Sequence, residues 1–259
     1  MRITLNRSIA VLPVLLLVAA HPTFAELPER FSARYTLSAG NMTLGETTWS
    51  LEPVGDDRYL YQSVSEPTGI MALWRPDRVV ERSEWRYHDD RLQPLDYSYE
   101  RSGGRKDRHV RIAFDWERGL ARNSLRGNAW EMQLPKGALD KLSYVLALMR
   151  DLADGKRDIR YEIADGGHLK NYQLDVLREE RIETSLGPLD AIVVRRERKG
   201  KKRVTTLWCA PALSFLPVKI EHREPDGNTV ILTIQEATGF SGVRESAPAA
   251  QPVLPKKSS

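Results

Sequence analysis

From residue 31 onward the apolar positions recur every second residue, in runs short enough to be strands separated by turn signals. Segments 31–38 and 44–51 are joined across Ala39-Gly40-Asn41, and 58–65 follows Val54-Gly55-Asp56-Asp57. Segments 78–87 and 92–101 flank His88-Asp89-Asp90-Arg91, and in the second of them Leu95, Tyr97 and Tyr99 oppose Asp96, Ser98 and Glu100. Val110, Ile112, Phe114 and Trp116 alternate in the same way, and short strands are predicted near 120–125 and 128–134. After a non-strand interval the alternation returns in Ile159, Tyr161, Ile163 and in Tyr172, Leu174, Val176, with a strand break predicted near Glu179. It continues through 189–196, 204–209, 216–222 and 230–234.

One stretch departs from period two. In 134–155 the residues Leu142, Val145, Leu146, Met149 and Leu152 fall three, four, seven and ten apart, which is one face of an α-helix spanning about 138–154. Asp140 can accept the orphan amides of a first turn, and Gly155 stands where a left-handed residue would end the helix. Roughly a dozen strands around one helix predict a mainly β fold. The expected architecture is a curved antiparallel meander, or a partly closed β-barrel, with one central amphipathic helix covering an apolar concavity.

The chain ends read differently. Arg2 and Arg7 precede the apolar run 9–20, and Thr23-Phe24-Ala25 is a small-x-small cleavage site, so residues 1–25 are expected to be a signal peptide. The run is too short to span a bilayer. The expectation is a protein exported to the periplasm from about Glu26, without stable membrane insertion after cleavage. Residues 26–240 then form a single β-rich domain, and 241–259, with three prolines and little apolar content, is predicted to be a disordered tail.

Charge narrows the partners. Removing residues 1–25 takes out Arg2 and Arg7 and no acid, which leaves 37 basic against 35 acidic residues. Such a balance is a solvated surface and not a nucleic-acid footprint. The basic run 195–203 centres on Gly200 and reads as a charged hairpin tip. The single cysteine of the chain, Cys209, excludes an intramolecular disulfide and reads as a small core residue.

Candidate chemistry is sparse. No phosphate loop, no nucleophile elbow and no metal-spaced pair of Cys or His is present, so no catalytic residue, metal or cofactor is assigned. Adjacent acids at Asp56-Asp57 and Asp89-Asp90 sit in turns and suit no paired acid–base role. His88, His109 and His168 lie in or beside turns, whereas His222 falls on the apolar face of its strand. The aromatic residues are the richer population. Trp49, Trp74, Trp85, Trp116 and Trp208 belong to or adjoin different strands, and Trp49, Trp85, Trp116 and Trp208 with His222 are the candidate lining of a ligand cavity, although aromatics also simply fill curved sheets. Ile70, Met71, Leu73 and Trp74 cluster in a loop and form a candidate partner-binding edge or lid.

Asp140-x-x-Ser143 ending in Arg150, Leu44-Gly45, Leu207-Trp208 and Leu216-Pro217-Val218-Lys219-Ile220 together resemble a family of exported bacterial proteins, domain of unknown function 3108. The resemblance covers most of 31–240 and implies a periplasmic, mostly antiparallel β domain with no activity to transfer. The leading expectation is a non-enzymatic binding or carrier protein, monomeric, holding an apolar or lipid-like ligand on the concave face. The alternatives are an envelope protein–protein interaction domain and, behind it, a hydrolase of envelope polymers.

Overall fold

In the computed structural model the described residues are 27–240 except 75, 105, 126 and 199–200. The predicted signal peptide and tail, and the centre of the basic tip, lie outside them. Among the described residues no helix is long and apolar enough to cross a membrane.

Fifteen strands form one sheet, in the order β8-β7-β6-β5-β4-β3-β2-β1-β15-β14-β13-β12-β11-β10-β9. β1 (Phe31–Ala39), β2 (Met42–Pro53) and β3 (Arg58–Pro67) lead to a short helix α1 (Ile70–Trp74). β4 (Arg78–His88), β5 (Arg91–Ser102), β6 (Arg108–Asp115), β7 (Leu120–Leu125) and β8 (Asn128–Gln133) continue the meander to one edge. The chain then crosses to β9 (Leu139–Asp140) and turns into helix α2 (Ser143–Ala153). β10 (Asp158–Asp165), β11 (His168–Thr184), β12 (Gly187–Arg198), β13 (Lys201–Ala210), β14 (Leu216–Arg223) and β15 (Thr229–Thr238) return to pair with β1. Every pairing is antiparallel except β9 with β10.

The sheet is curved but not closed, because the edges β8 and β9 do not pair with each other. β8 meets the β10–β11 turn through a side chain. A Cβ on Gly167, in the β10–β11 turn, would lie 2.1 Å from Nε1 of Trp130 on β8, so the ring is seated against that bare backbone. The concave face carries one connected core, in which Tyr35, Tyr61, Trp85, Tyr97 and Ile112 are fully buried.

Helix α2 plugs the lower half of this concavity. The predicted stripe is buried, and so are Tyr144, Ala147 and Leu148 on its other sides. A helix buried nearly all round is a core element and not a lid on a surface. Its start falls later than predicted because Leu139 and Asp140 are extended and pair with Ile163 and Ala164. Asp140 still caps it: Oδ1 accepts from the amides of Leu142 and Ser143, both at 2.7 Å, and the Asp140 amide donates to Ser143 Oγ. The end follows expectation. Gly155 is left-handed at φ +75°, with its amide bonded to Leu152 O and that of Lys156 to Asp151 O.

One strand-level reading changes. The break expected near Glu179 is instead a bulge, since the register steps from Val176 to Arg178 while β11 runs on unbroken. Leu44-Gly45 and Leu186-Gly187 each open a strand after a turn, but their glycines are needed for unrelated reasons. A Cβ on Gly45 would lie 2.2 Å from Glu66 O, whereas Gly187 has open space and needs only its φ of +95°.

Candidate functional site

The alternating strand directions sort the connections into two rims. The upper rim carries the β1–β2 tip, α1, and the β5–β6 and β14–β15 tips. The lower rim carries the β2–β3 and β4–β5 tips and the end of α2.

At the lower rim a cleft of about 480 Å³ separates the β4–β5 turn from α2 and β10, lined by residues that include Asp89, Arg91, Lys136, Arg150, Asp154 and Arg160. Several of its charges are matched locally. Lys156 Nζ lies 2.5 Å from Asp151 Oδ1, Tyr161 Oη donates to Asp151 Oδ2 at 2.6 Å, and Arg160 pairs with Asp158. Arg150 donates to Asp90 O and covers the Tyr87 ring, fastening the helix to a turn in which Asp89 and Asp90 both have positive φ. Among the described residues no three of His, Cys, Asp and Glu gather as metal ligands.

The predicted ligand-lining residues do not converge on one cavity. Trp49 packs on Tyr35 at 4.9 Å between ring centres, and Trp85 stacks on Tyr59 at 4.8 Å, so both are parts of the filled core. Trp116 lies at the end of β6, stacked on Phe114, with Nε1 donating to Pro94 O. Trp208 is on the face of β13 opposite Leu207, beneath Lys219 and hydrogen-bonded to Glu180. His222 does face the concave side, with Nδ1 at 2.9 Å from Thr205 Oγ1. Burial, with Arg196 and Arg203 nearby, lowers its pKa to about 4, so the ring is neutral at pH 7. Cys209 is fully buried, and burial pushes its thiol up, away from thiolate chemistry.

The predicted loop behaves differently. Ile70, Leu73 and Trp74 are 68%, 84% and 80% exposed on α1, and with Met42 they are among the most exposed large apolar side chains described. Met42, Ile70, Met71 and Trp74 enclose an apolar groove of about 300 Å³. Glu66 bonds Arg78 at 2.5 Å and Asp77 lies 3.8 Å from Arg101, giving that groove a charged but balanced surround. Sequence reasoning missed a second constellation on the upper concave wall, centred on Arg196. Its only signal is that Arg196 shares strand parity with buried Val194, and its place within the basic run 195–203 masks that signal.

A family described as Protein of unknown function (DUF3108) matches residues 34–234. No curated protein matches the chain. Among solved structures, a β-barrel-like protein of domain of unknown function DUF1849 from Brucella abortus is 9% identical, with a TM-score of 0.54, covering 82% of this chain and 98% of that one. At that identity the likeness shows the fold alone. A candidate lipoprotein from Parabacteroides distasonis is 9% identical with a TM-score of 0.35, covering 83% of this chain and 98% of that one.

Proposed function

From the premise that this chain belongs to the DUF3108 family, we propose a non-catalytic docking domain of the cell envelope that takes an apolar segment of another protein into the α1 groove. The observation that carries the reading is the exposure of Ile70, Leu73 and Trp74 on a five-residue helix whose side chains are nowhere buried. Large apolar residues held in water at one spot are an interaction surface. A concave groove suits inserted side chains, and methionines let it adapt to them. The paired charges beside it, Arg78–Glu66 and Arg101–Asp77, resemble the polar border of a protein interface. Export from about Glu26 to the periplasm, as a monomer, belongs to the same proposal.

The carrier reading keeps one supporting observation. Above α2 the concave wall stays accessible at Ser63, Ser65, Glu81, Tyr99 and Lys141, which are partly exposed. The apolar half, however, is occupied by the protein's own side chains, so a bound lipid would have to sit in a polar mouth.

A photo-crosslinking residue at position 74, in cells, separates these readings. The docking proposal expects one discrete polypeptide adduct, abolished by Leu73→Asp at unchanged protein abundance. Adducts to lipid alone, or none, overturn it. Lipid co-purifying with the envelope-extracted protein, found by extraction and mass spectrometry, would favour the carrier instead.

A further inference from the structure

We infer that the upper concave wall holds an oxyanion site centred on Arg196, able to take a phosphate or carboxylate group. Arg196 extends from β12 on the same face as Leu174 and Thr205, its partners across the sheet. Its guanidinium lies 4.4 Å from the Tyr172 ring centre and 5.5 Å from that of Tyr144, on α2. Nη1 donates to Tyr144 Oη at 3.0 Å and Nη2 to Thr205 Oγ1 at 2.9 Å. Two of five N–H groups are thereby used, and the aromatic stacking holds the plane of the remaining three.

No carboxylate pairs with this cation among the described residues. Glu224, whose charge reaches neighbouring His222, is held by a two-pronged pair with Arg203, from Nη2 at 2.7 Å and Nε at 2.9 Å. His222, hydrogen-bonded to Thr205, brings no negative charge. Among the described residues Arg196 is thus a partly buried, oriented fork without a paired carboxylate, and a guanidinium so placed gains most from a bidentate oxyanion.

This site is separate from the α1 groove, and its test does not depend on the docking proposal. The full-length protein, labelled for NMR, is titrated with inorganic phosphate, with acetate and with a short-chain phosphatidic acid, each at constant ionic strength set by chloride. The expected result is a saturable shift of the Arg196 Nε–H and the Tyr144 and Tyr172 ring signals. Saturation by phosphate or acetate identifies a free oxyanion, and saturation by the phosphatidic acid alone identifies a lipid headgroup. Arg196→Met, which keeps a stem against the tyrosines, should weaken binding by about tenfold or more. Arg196→Lys, which keeps the charge without the fork, should fall between, and serves if the methionine variant fails to fold. Absence of saturation by all three probes, shifts reproduced by chloride alone, or equal binding by a folded Arg196 variant would overturn the inference.

Discussion

Asp140 is wholly buried, yet it accepts hydrogen bonds from the amides of Leu142 and Ser143 and from Ser83 Oγ, at 2.6 Å, on β4. Burial raises its pKa, and those hydrogen bonds work against the rise. One side chain thus ties the start of α2 to a strand far away in sequence. Asp140→Ala strands two amides and a hydroxyl and should cost about 1–3 kcal/mol in denaturant unfolding, while Asp140→Asn, which can still accept from the amides, should cost less. His222 makes a pH prediction. Its folded pKa, about 4, lies below the ordinary value of 6.5, so the unfolded chain binds the proton first as pH falls. The stability that neutral His222 contributes is full above pH 6.5 and is lost as pH drops toward 4. The loss should amount to roughly 3 kcal/mol. Unfolding curves for His222→Gln should lack that slope, and a slope unchanged by the substitution would refute the assignment.

Among the elements, the two helices use their apolar residues in opposite ways. α2 spends its own inside, with Leu146, Leu148 and Met149 fully buried against the concave sheet. Leu146→Ala should destabilise by about 2–5 kcal/mol through the cavity it leaves, and Leu146→Asp should prevent folding by burying an unpaired carboxylate. α1 presents its apolar residues to water, and Leu73→Ser should leave thermal unfolding unchanged within about 0.5 kcal/mol. The Schellman end of α2 and the Arg150 clasp on the β4–β5 turn then hold the plug at the lower rim, which leaves the upper half of the wall to Arg196 and its tyrosines.

For the whole molecule, the seam between β8 and the β10–β11 turn is the weak joint, because a side-chain contact replaces a hydrogen-bonded ladder there. Gly167→Ala would force a Cβ toward the Trp130 ring at a φ of +80° and should cost about 1–3 kcal/mol. Hydrogen exchange should locate the damage: β7, β8 and the β10–β11 turn exchange faster, while the central β1–β15 ladder keeps its protection. Uniform acceleration across the sheet would show instead that the seam is coupled to the whole fold.

Period two along the chain determined the strands, because a sheet with one face packed and one wetted imposes that alternation on each strand by itself. The turn chemistry and the end of α2 were equally local, resting on Asp89-Asp90 and Gly155. Family membership, carried by short separated motifs, was legible for the same reason, and so was the apolar cluster at Ile70 to Trp74. What neighbours decide was not legible. β9 is two residues long and has no period, and Leu177 bulges only because β12 holds the register on both sides of it. The destinations of the tryptophans depended on which face each strand turned inward and on how completely α2 filled the concavity. Arg196 shows the limit most clearly, since sequence places it in a basic run, while the fold turns it inward between Tyr144 and Tyr172 and leaves its charge without a partner among the described residues.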